Sequence, residues 1–232
     1  MTHDQRLHLL VLAAGRGARV GVTTPKQFAE DAHGVSILAH SLSRATRDIR
    51  WHSITIGAPA ASISHTEKIV ASLALGNATV VPGSTHRMET LRRVVARIDA
   101  DVHDVCVVHD GVRPLTPPEL FGDVVAALGC PDVDVCWPMS PPRDTTVLTH
   151  ATHGPRVVPA TQVAVVATPI AVRFPVLAQA VSTSSDESPV LTDRLLRMGA
   201  RWTHVDNSWW NLKVTTREDL EAVMHLLSAR PV

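Results

Sequence analysis

Neither charge sign is in excess in this chain: 22 lysines and arginines stand against 22 aspartates and glutamates in 232 residues. Nucleic-acid and membrane-surface proteins need a basic footprint, so the balance argues against both. Lysine itself is scarce, confined to Lys26, Lys68 and Lys213, which makes each one informative. No apolar run approaches the roughly 18 residues that cross a bilayer. The first run, Leu7 to Ala13, is short and leads straight into a glycine-rich turn, so it reads as an opening strand rather than a secretory leader. The cysteines are three, Cys106, Cys130 and Cys136. They lack metal-site spacing and cannot all pair. Two of them sit inside apolar runs, which points to buried, reduced thiols and a cytoplasmic enzyme. The 13 histidines are scattered without metal-binding spacing.

What is present is ample apolar content, 45 % of residues, enough for one sizeable α/β domain. Continuous apolar runs at Leu7–Ala13 and Val105–His109 read as strands buried on both faces. His52–Ala58, Ala78–Val81 and Val133–Pro138 read as further strands. Helical spacing marks Ser36–Thr46, Glu67–Leu75, Met88–Ile98 and Leu120–Leu128, the last opened by Pro117 and Pro118. The alternation across residues 7–138 predicts an α/β, Rossmann-like, mostly parallel twisted sheet flanked by helices. Residues 139–168 are proline-rich with short strand-like pieces (Thr146–Leu148, Val157–Pro159, Val163–Ala167) and read as a protruding β-arm. Beyond them, 172–199 reads as helical with a polar break, Trp202–Val205 and Leu212–Val214 as strands, and Arg217–Leu227 as a closing helix capped by Thr216.

In parallel sheets ligands bind beyond the carboxyl ends of the strands, and the chemistry-bearing residues fall there. Ala13-Ala14-Gly15-Arg16-Gly17-Ala18-Arg19 follows the first strand, with Pro25-Lys26-Gln27 after it. Backbone N–H groups in such a turn can approach phosphate oxygens, and Arg19 and Lys26 can neutralise them. The glycine spacing matches neither the dinucleotide fingerprint nor the P-loop. Gly83 to Thr90, including Arg87, enters the third helix and suits base or ribose recognition. Asp110, followed by Gly111, closes a buried strand, where a hard oxygen ligand suits Mg²⁺. Arg113 can pair with a neighbouring carboxylate and shape the turn, and His109 reads as structural. Lys213, in Asn211-Leu212-Lys213-Val214-Thr215-Thr216, is an unusual lysine in a β-like run. Trp209 and Trp210 beside it read as core packing or a dimer contact, with one wall of the acceptor site as the alternative.

The set A-A-G-x-G-x-R, P-K-Q, H-D-x-x-R-P, R-D-T and N-x-K-V-T, in this order over roughly residues 8–228, resembles the 2-C-methyl-D-erythritol 4-phosphate cytidylyltransferase family. The resemblance implies a single domain of the nucleotide-diphospho-sugar transferase type. It also implies transfer of CMP from CTP to the acceptor phosphate, with pyrophosphate released and Mg²⁺ required, in isoprenoid precursor synthesis. Ala13, Ala14, Gly15 and Gly17 would hold CTP through the backbone. Arg19, Lys26 and Lys213 would be catalytic. Gly83, Arg87 and Thr90 would lie at the cytidine, and Asp110 would bind Mg²⁺. Thr145 and Arg143 would face the acceptor. The arm, about 139–168, would form a homodimer and reach the partner's site.

Departures from the family pattern gather on the acceptor side. Ala160 stands where the arm usually carries arginine, with Arg156 the nearest arginine. T-P-Q-[AG]-F becomes Thr168-Pro169-Ile170-Ala171-Val172, and H-D-A-A-R-P becomes His109-Asp110-Gly111-Val112-Arg113-Pro114. Asp186-Glu187 and Asp193 compete for the family's acidic segment. The alternative reading is therefore a paralogue acting on another polyol phosphate or a phosphonate, or a silent nucleotide binder.

Overall fold

The computed structural model describes residues 5–15, 25–150, 154–182 and 188–229. Five strands are laid down first: β1 (Leu7–Leu12), β2 (Ser53–Ala58), β3 (Ala78–Pro82), β4 (Val105–Asp110) and β5 (Val135–Ser140). A hairpin, β6 (Thr146–His150) with β7 (Gly154–Val158), then leaves the body. The chain returns through β8 (Val165–Val166) and β9 (Ile170–Arg173), and β10 (Trp202–Asp206) completes the main sheet. The spatial order is β10-β5-β9-β4-β1-β2-β3, with β8 paired to β5. β1, β2, β3 and β4 run parallel, as do β5 and β10. β9 is antiparallel to both β4 and β5, so all six of those strands end at the same edge.

Helices cover both faces: α1 (Ile37–Ala45), α2 (Ile63–Ser72), α3 (Arg87–Val95), α4 (Pro118–Ala126), α5 (Phe174–Ser182), α6 (Leu191–Arg197) and α7 (Arg217–Ala229). Period-two alternation divides the core between them. Leu9, Val11, Val105 and Val107 pack with α1, α2 and α4. Leu10, Leu12, Cys106 and Val108 pack with α3, α5 and α6. Each fully buried Leu or Val contributes roughly 1.5–3 kcal/mol, and the polar residues these strands also bury, such as His8 and His109, are held by hydrogen bonds or ring contacts. α7 closes a third cluster over Ile37, Val112 and Leu115.

Helix starts follow the local chemistry. The Ser36 hydroxyl accepts the Ala39 N–H at α1 (3.2 Å). At α7 the Thr216 hydroxyl accepts the Asp219 N–H while the Asp219 carboxylate accepts the Thr216 N–H, a capping box with aspartate at the third position.

Two expected elements are corrected. Residues 172–173, read as helical, belong to β9, and α5 begins only at Phe174. The arm leaves and re-enters at the carboxyl end of β5, with no crossover helix to carry the chain back. The next strand must therefore run down the sheet, antiparallel. Leu212–Val214, read as a strand, has no regular structure, because β10 ends at Asp206 and its outer edge is unpaired among the described residues. The remaining differences are shifts of element ends, the largest at α2, which starts four residues before the expected Glu67.

Candidate active site

A cavity of about 280 Å³ opens at the carboxyl ends of β1 and β4. Its walls come from five separate stretches: Leu12–Gly15, Lys26 and Gln27, the Ser84–Thr90 loop and helix start, Asp110 and Val112, and Lys213 with Thr215. The fold thus gathers Ala13, Ala14, Gly15, Lys26, Arg87, Thr90, Asp110 and Lys213 around one space. Gly17 and Arg19, expected beside them, lie outside the described residues, as do Asp186 and Glu187.

The backbone of the first turn is held open by specific contacts. The Ala13 N–H donates to the Gly57 carbonyl (2.8 Å). The buried Gln27 amide donates to the carbonyls of Ala13 (2.8 Å) and Gly15 (3.3 Å). Gly83 and Gly111 permit the close approach of neighbouring loops. A Cβ on Gly83 would overlap the Ala14 Cβ, and one on Gly111 would lie 2.9 Å from Leu38 Cδ1 and 3.0 Å from Ala13 Cβ. Thr90, on the first turns of α3, accepts the Ser84 N–H (2.9 Å) and faces the Ser84 and His86 carbonyls, so its hydroxyl shapes the loop that lines the cavity.

The electrostatic centre is Asp110, the last residue of β4. Arg87 reaches its Oδ1 at 2.8 Å, Lys213 its Oδ2 at 2.8 Å, and Arg113 its Oδ2 at 3.6 Å. Burial alone would raise the carboxyl's pKa, but Arg87, Lys213 and Arg113 outweigh it and hold the group well below the usual carboxylate range. Lys26 points inward from its short 3-10 turn and donates to the Val214 carbonyl (2.6 Å). One carboxylate among four cationic side chains leaves the cavity net positive, a receptor for a polyanion.

His109 faces the other way. It stacks edge-on against Phe121 with ring centroids 4.8 Å apart, and burial pushes its pKa down to about 3. It is a neutral packing residue, in keeping with the structural reading.

Four expected site residues do not line this cavity: Gly83 and Gly111 pack behind its wall, and two more lie away from it. Arg143 and Thr145 are exposed in the turn between β5 and β6 and do not line it. In the opposite direction, sequence reasoning set Arg87 beside the cytidine and missed its ion pair with Asp110. It also gave Asn211 no role. That asparagine is buried and bonded to two distant segments, the Arg113–Thr116 turn and Thr168, and the N-x-K spacing was the one available signal.

As for a metal, no group of three or more His, Cys, Asp or Glu side chains converges among the described residues. Asp110 is the sole carboxylate among the described residues lining the cavity. Mg²⁺ commonly keeps several waters and takes one or two carboxylates plus substrate phosphates. The residues therefore fit an ion that arrives with a polyphosphate, and do not form a cage for one alone.

The sequence profile of the 2-C-methyl-D-erythritol 4-phosphate cytidylyltransferase family (IspD) matches residues 7–228. The chain belongs to this family. As a member it is a transferase of the nucleotidyltransferase class. A relative of that description from Saccharopolyspora erythraea is 33 % identical over 223 residues, spanning 93 % of this chain and 97 % of its own. Another, from Leptospira interrogans, is 30 % identical over 94 % of this chain and 91 % of its own. The fold matches a solved 4-diphosphocytidyl-2C-methyl-D-erythritol synthase from Anaerococcus prevotii with a TM-score of 0.79 at 20 % identity, over 97 % of this chain and 99 % of that one. The Thermus thermophilus cytidylyltransferase superposes with a TM-score of 0.72 at 20 % identity, over 97 % of this chain and all of that one (100 %). The family match runs from β1 through most of α7, so every wall of the cavity falls inside it.

Proposed function

We propose that this chain transfers CMP from CTP to 2-C-methyl-D-erythritol 4-phosphate and releases pyrophosphate, a step of isoprenoid precursor synthesis, in the cytoplasm. The observation that carries the reading is the single carboxylate held among Arg87, Lys213, Arg113 and Lys26 at the carboxyl edge of the sheet. Such a site receives a triphosphate and stabilises the charge that builds at its α-phosphorus.

The acceptor phosphate oxygen attacks the α-phosphorus in line. The bond from that phosphorus to the β-bridging oxygen breaks, and pyrophosphate leaves with the electron pair. No covalent enzyme intermediate is needed, and catalysis rests on positioning and charge. The N–H groups of Ala14, Gly15 and Gly17 bind phosphate oxygens, and Ala13, whose N–H is held by the Gly57 carbonyl, lines the pocket beside them. Lys26 and Lys213 neutralise the α-phosphate, with Arg19 assigned the same task. Gly83, Thr90 and Gly111 keep the nucleoside pocket open, and Arg87 orients Asp110 from its other oxygen. Asp110 would hold Mg²⁺ together with the nucleotide, and the ion would neutralise charge on the phosphate chain.

The chain acts as a single nucleotidyltransferase domain, with residues 139–168 as a dimerisation arm. The exposed Val147, Leu148, Val157 and Val165 on that arm support a homodimer. Arg143 and Thr145 lie at the arm's base, outside their own chain's cavity, and serve the acceptor in the assembled dimer. A second reading, a different polyol phosphate or a phosphonate acceptor, is favoured by Ala160. It lies exposed in a short 3-10 turn and offers no charge to an acceptor phosphate.

The deciding assay is pyrophosphate release from CTP and Mg²⁺ with methylerythritol 4-phosphate and ribitol 5-phosphate as separate acceptors. Turnover with the first is expected. Turnover with the second alone would transfer the assignment to the other acceptor class, and release with neither would overturn both.

A further inference from the structure

The residues that aim at Asp110 come from places far apart in the chain, and one of them is poorly supported. Lys213 lies in residues 211–215, which form neither helix nor strand. No ladder sets its register, so a few anchors must. The Val214 N–H donates to the Val112 carbonyl (2.9 Å), and Lys26 donates to the Val214 carbonyl (2.6 Å). The Thr215 N–H donates to Asp219 Oδ2 (2.8 Å), and at the other end of the segment the anchor is Asn211.

Asn211 is 5 % exposed, and both amide hydrogens and the oxygen of its carboxamide are engaged. Nδ2 donates one hydrogen to the Thr168 carbonyl (2.8 Å) and the other to Asn207 Oδ1 (2.9 Å). Oδ1 accepts the Thr116 hydroxyl (2.8 Å), and the main-chain carbonyl accepts Arg113 Nη1 (2.6 Å). Thr168, at the exit of the arm, in turn accepts the Asp110 N–H on its hydroxyl (3.1 Å). Asn211 thus ties the Lys213 segment, the Asp110–Thr116 turn and the arm exit into one unit. Aspartate in its place would offer acceptors to two acceptors, and leucine would take the donor away from the Thr168 carbonyl and Asn207 Oδ1, while the Thr116 hydroxyl would keep only the Arg113 carbonyl (2.9 Å).

We infer that Asn211 is a positioning residue for nucleotidyl transfer, acting through Lys213 rather than touching substrate. A rigid second layer of this kind keeps a catalytic cation within the half-ångström that efficient transfer needs. The inference rests on the role given to Lys213 above.

The test is a double-mutant cycle of Asn211→Leu with Lys213→Met, read by conversion of radiolabelled CTP with methylerythritol 4-phosphate at micromolar enzyme so that very low rates register. Asn211→Leu alone should lower kcat roughly 10- to 100-fold, the scale of a misplaced catalytic group. The dissociation constant of CTP should stay within about threefold, since backbone contacts to the nucleotide are untouched. In the Lys213→Met background the same substitution should cost less than about twofold, because the residue it aims is gone. Equal losses in both backgrounds, or an unchanged kcat for Asn211→Leu alone, would overturn the inference while leaving Lys213 in its role. Full activity of Lys213→Met alone would instead overturn the role of Lys213, and the inference with it. Should Asn211→Leu fail to fold, Thr116→Val removes one bond to the same carboxamide and carries the same comparison, with a loss of about threefold expected in the first background only.

Discussion

Replacing Asp110 by asparagine keeps the shape of the cavity and removes the only negative charge that its described lining supplies. Three cations are then left facing one another. Arg113 is 8 % exposed, so its charge has little water to fall back on, whereas the Arg87 and Lys213 side chains keep 32 % and 40 % of their surface in solvent. Breaking a buried pair costs about 3–5 kcal/mol, and exposed pairs contribute about 0–1 kcal/mol. The separation of 3.6 Å to Arg113 and the partial exposure of the other two place the expected loss near the lower end, about 3 kcal/mol. For a chain of this size that lowers Tm by roughly 6–12 °C. The variant should be folded at 25 °C by circular dichroism, with kcat for pyrophosphate release down about 10²–10³-fold. The pH dependence carries the sign. Asp110 has its folded pKa depressed, so its contribution is complete above the unfolded value of about 3.9 and is lost as pH falls through the folded value. The gap in stability between wild type and Asp110→Asn should therefore be full at pH 7 and narrow below about pH 4. A variant with wild-type Tm and near-wild-type turnover would refute the picture of Asp110 as the neutralising centre of the site.

Other outcomes can be checked alongside. Gly83→Ala puts a methyl group against Ala14 and 3.0 Å from Thr90 Cγ2, so CTP affinity by calorimetry should fall at least about tenfold at a stability cost of about 1–3 kcal/mol. An unchanged affinity would mean the loop yields freely. Asp104, at the opposite end of β4, is buried, which by itself would raise its pKa. The Asp101 N–H and the Arg6 guanidinium and N–H overcome this and hold it well below the usual range. Asp104→Asn should cost about 2 kcal/mol in urea unfolding at pH 7. That cost should shrink below about pH 4, and a pH-independent cost would contradict the charged pairing. Ala160→Arg should lower KM for methylerythritol 4-phosphate, because a charge-assisted arginine–phosphate contact is worth about 1.5–3 kcal/mol; no change would show that another group already serves the acceptor. Val157→Asp, on the exposed face of the arm, should shift the protein towards monomer in size-exclusion chromatography with light scattering, and an unaltered mass would place the interface elsewhere.

The layered architecture was legible from residues alone. Runs such as Leu7–Leu12 and Val105–Asp110 have no polar side facing solvent, and only a strand covered by helices on both sides buries them. Glycines and prolines punctuate those runs at their carboxyl ends, so the loops that line the cavity could be named before their shape was known. The pairing of β9 was not legible. Ile170-Ala171-Val172-Arg173 merges into the apolar spacing of Phe174–Ser182, and local pattern cannot separate a four-residue strand from the helix that follows it.

Chemistry divides along the same line. Residue types and their order sufficed to mark Lys26, Asp110 and Lys213, because a lysine kept near the strand ends of so lysine-poor a chain most simply serves an anion there. That Arg87 and Lys213 close on the two oxygens of Asp110 from positions 23 residues before it and 103 after it was decided only by the tertiary structure. Sequence sets which groups can carry charge. Which charges meet depends on where parallel strands end together, and on an asparagine that bonds the Arg113–Thr116 turn and the Thr168 carbonyl only once those two distant segments are folded against it.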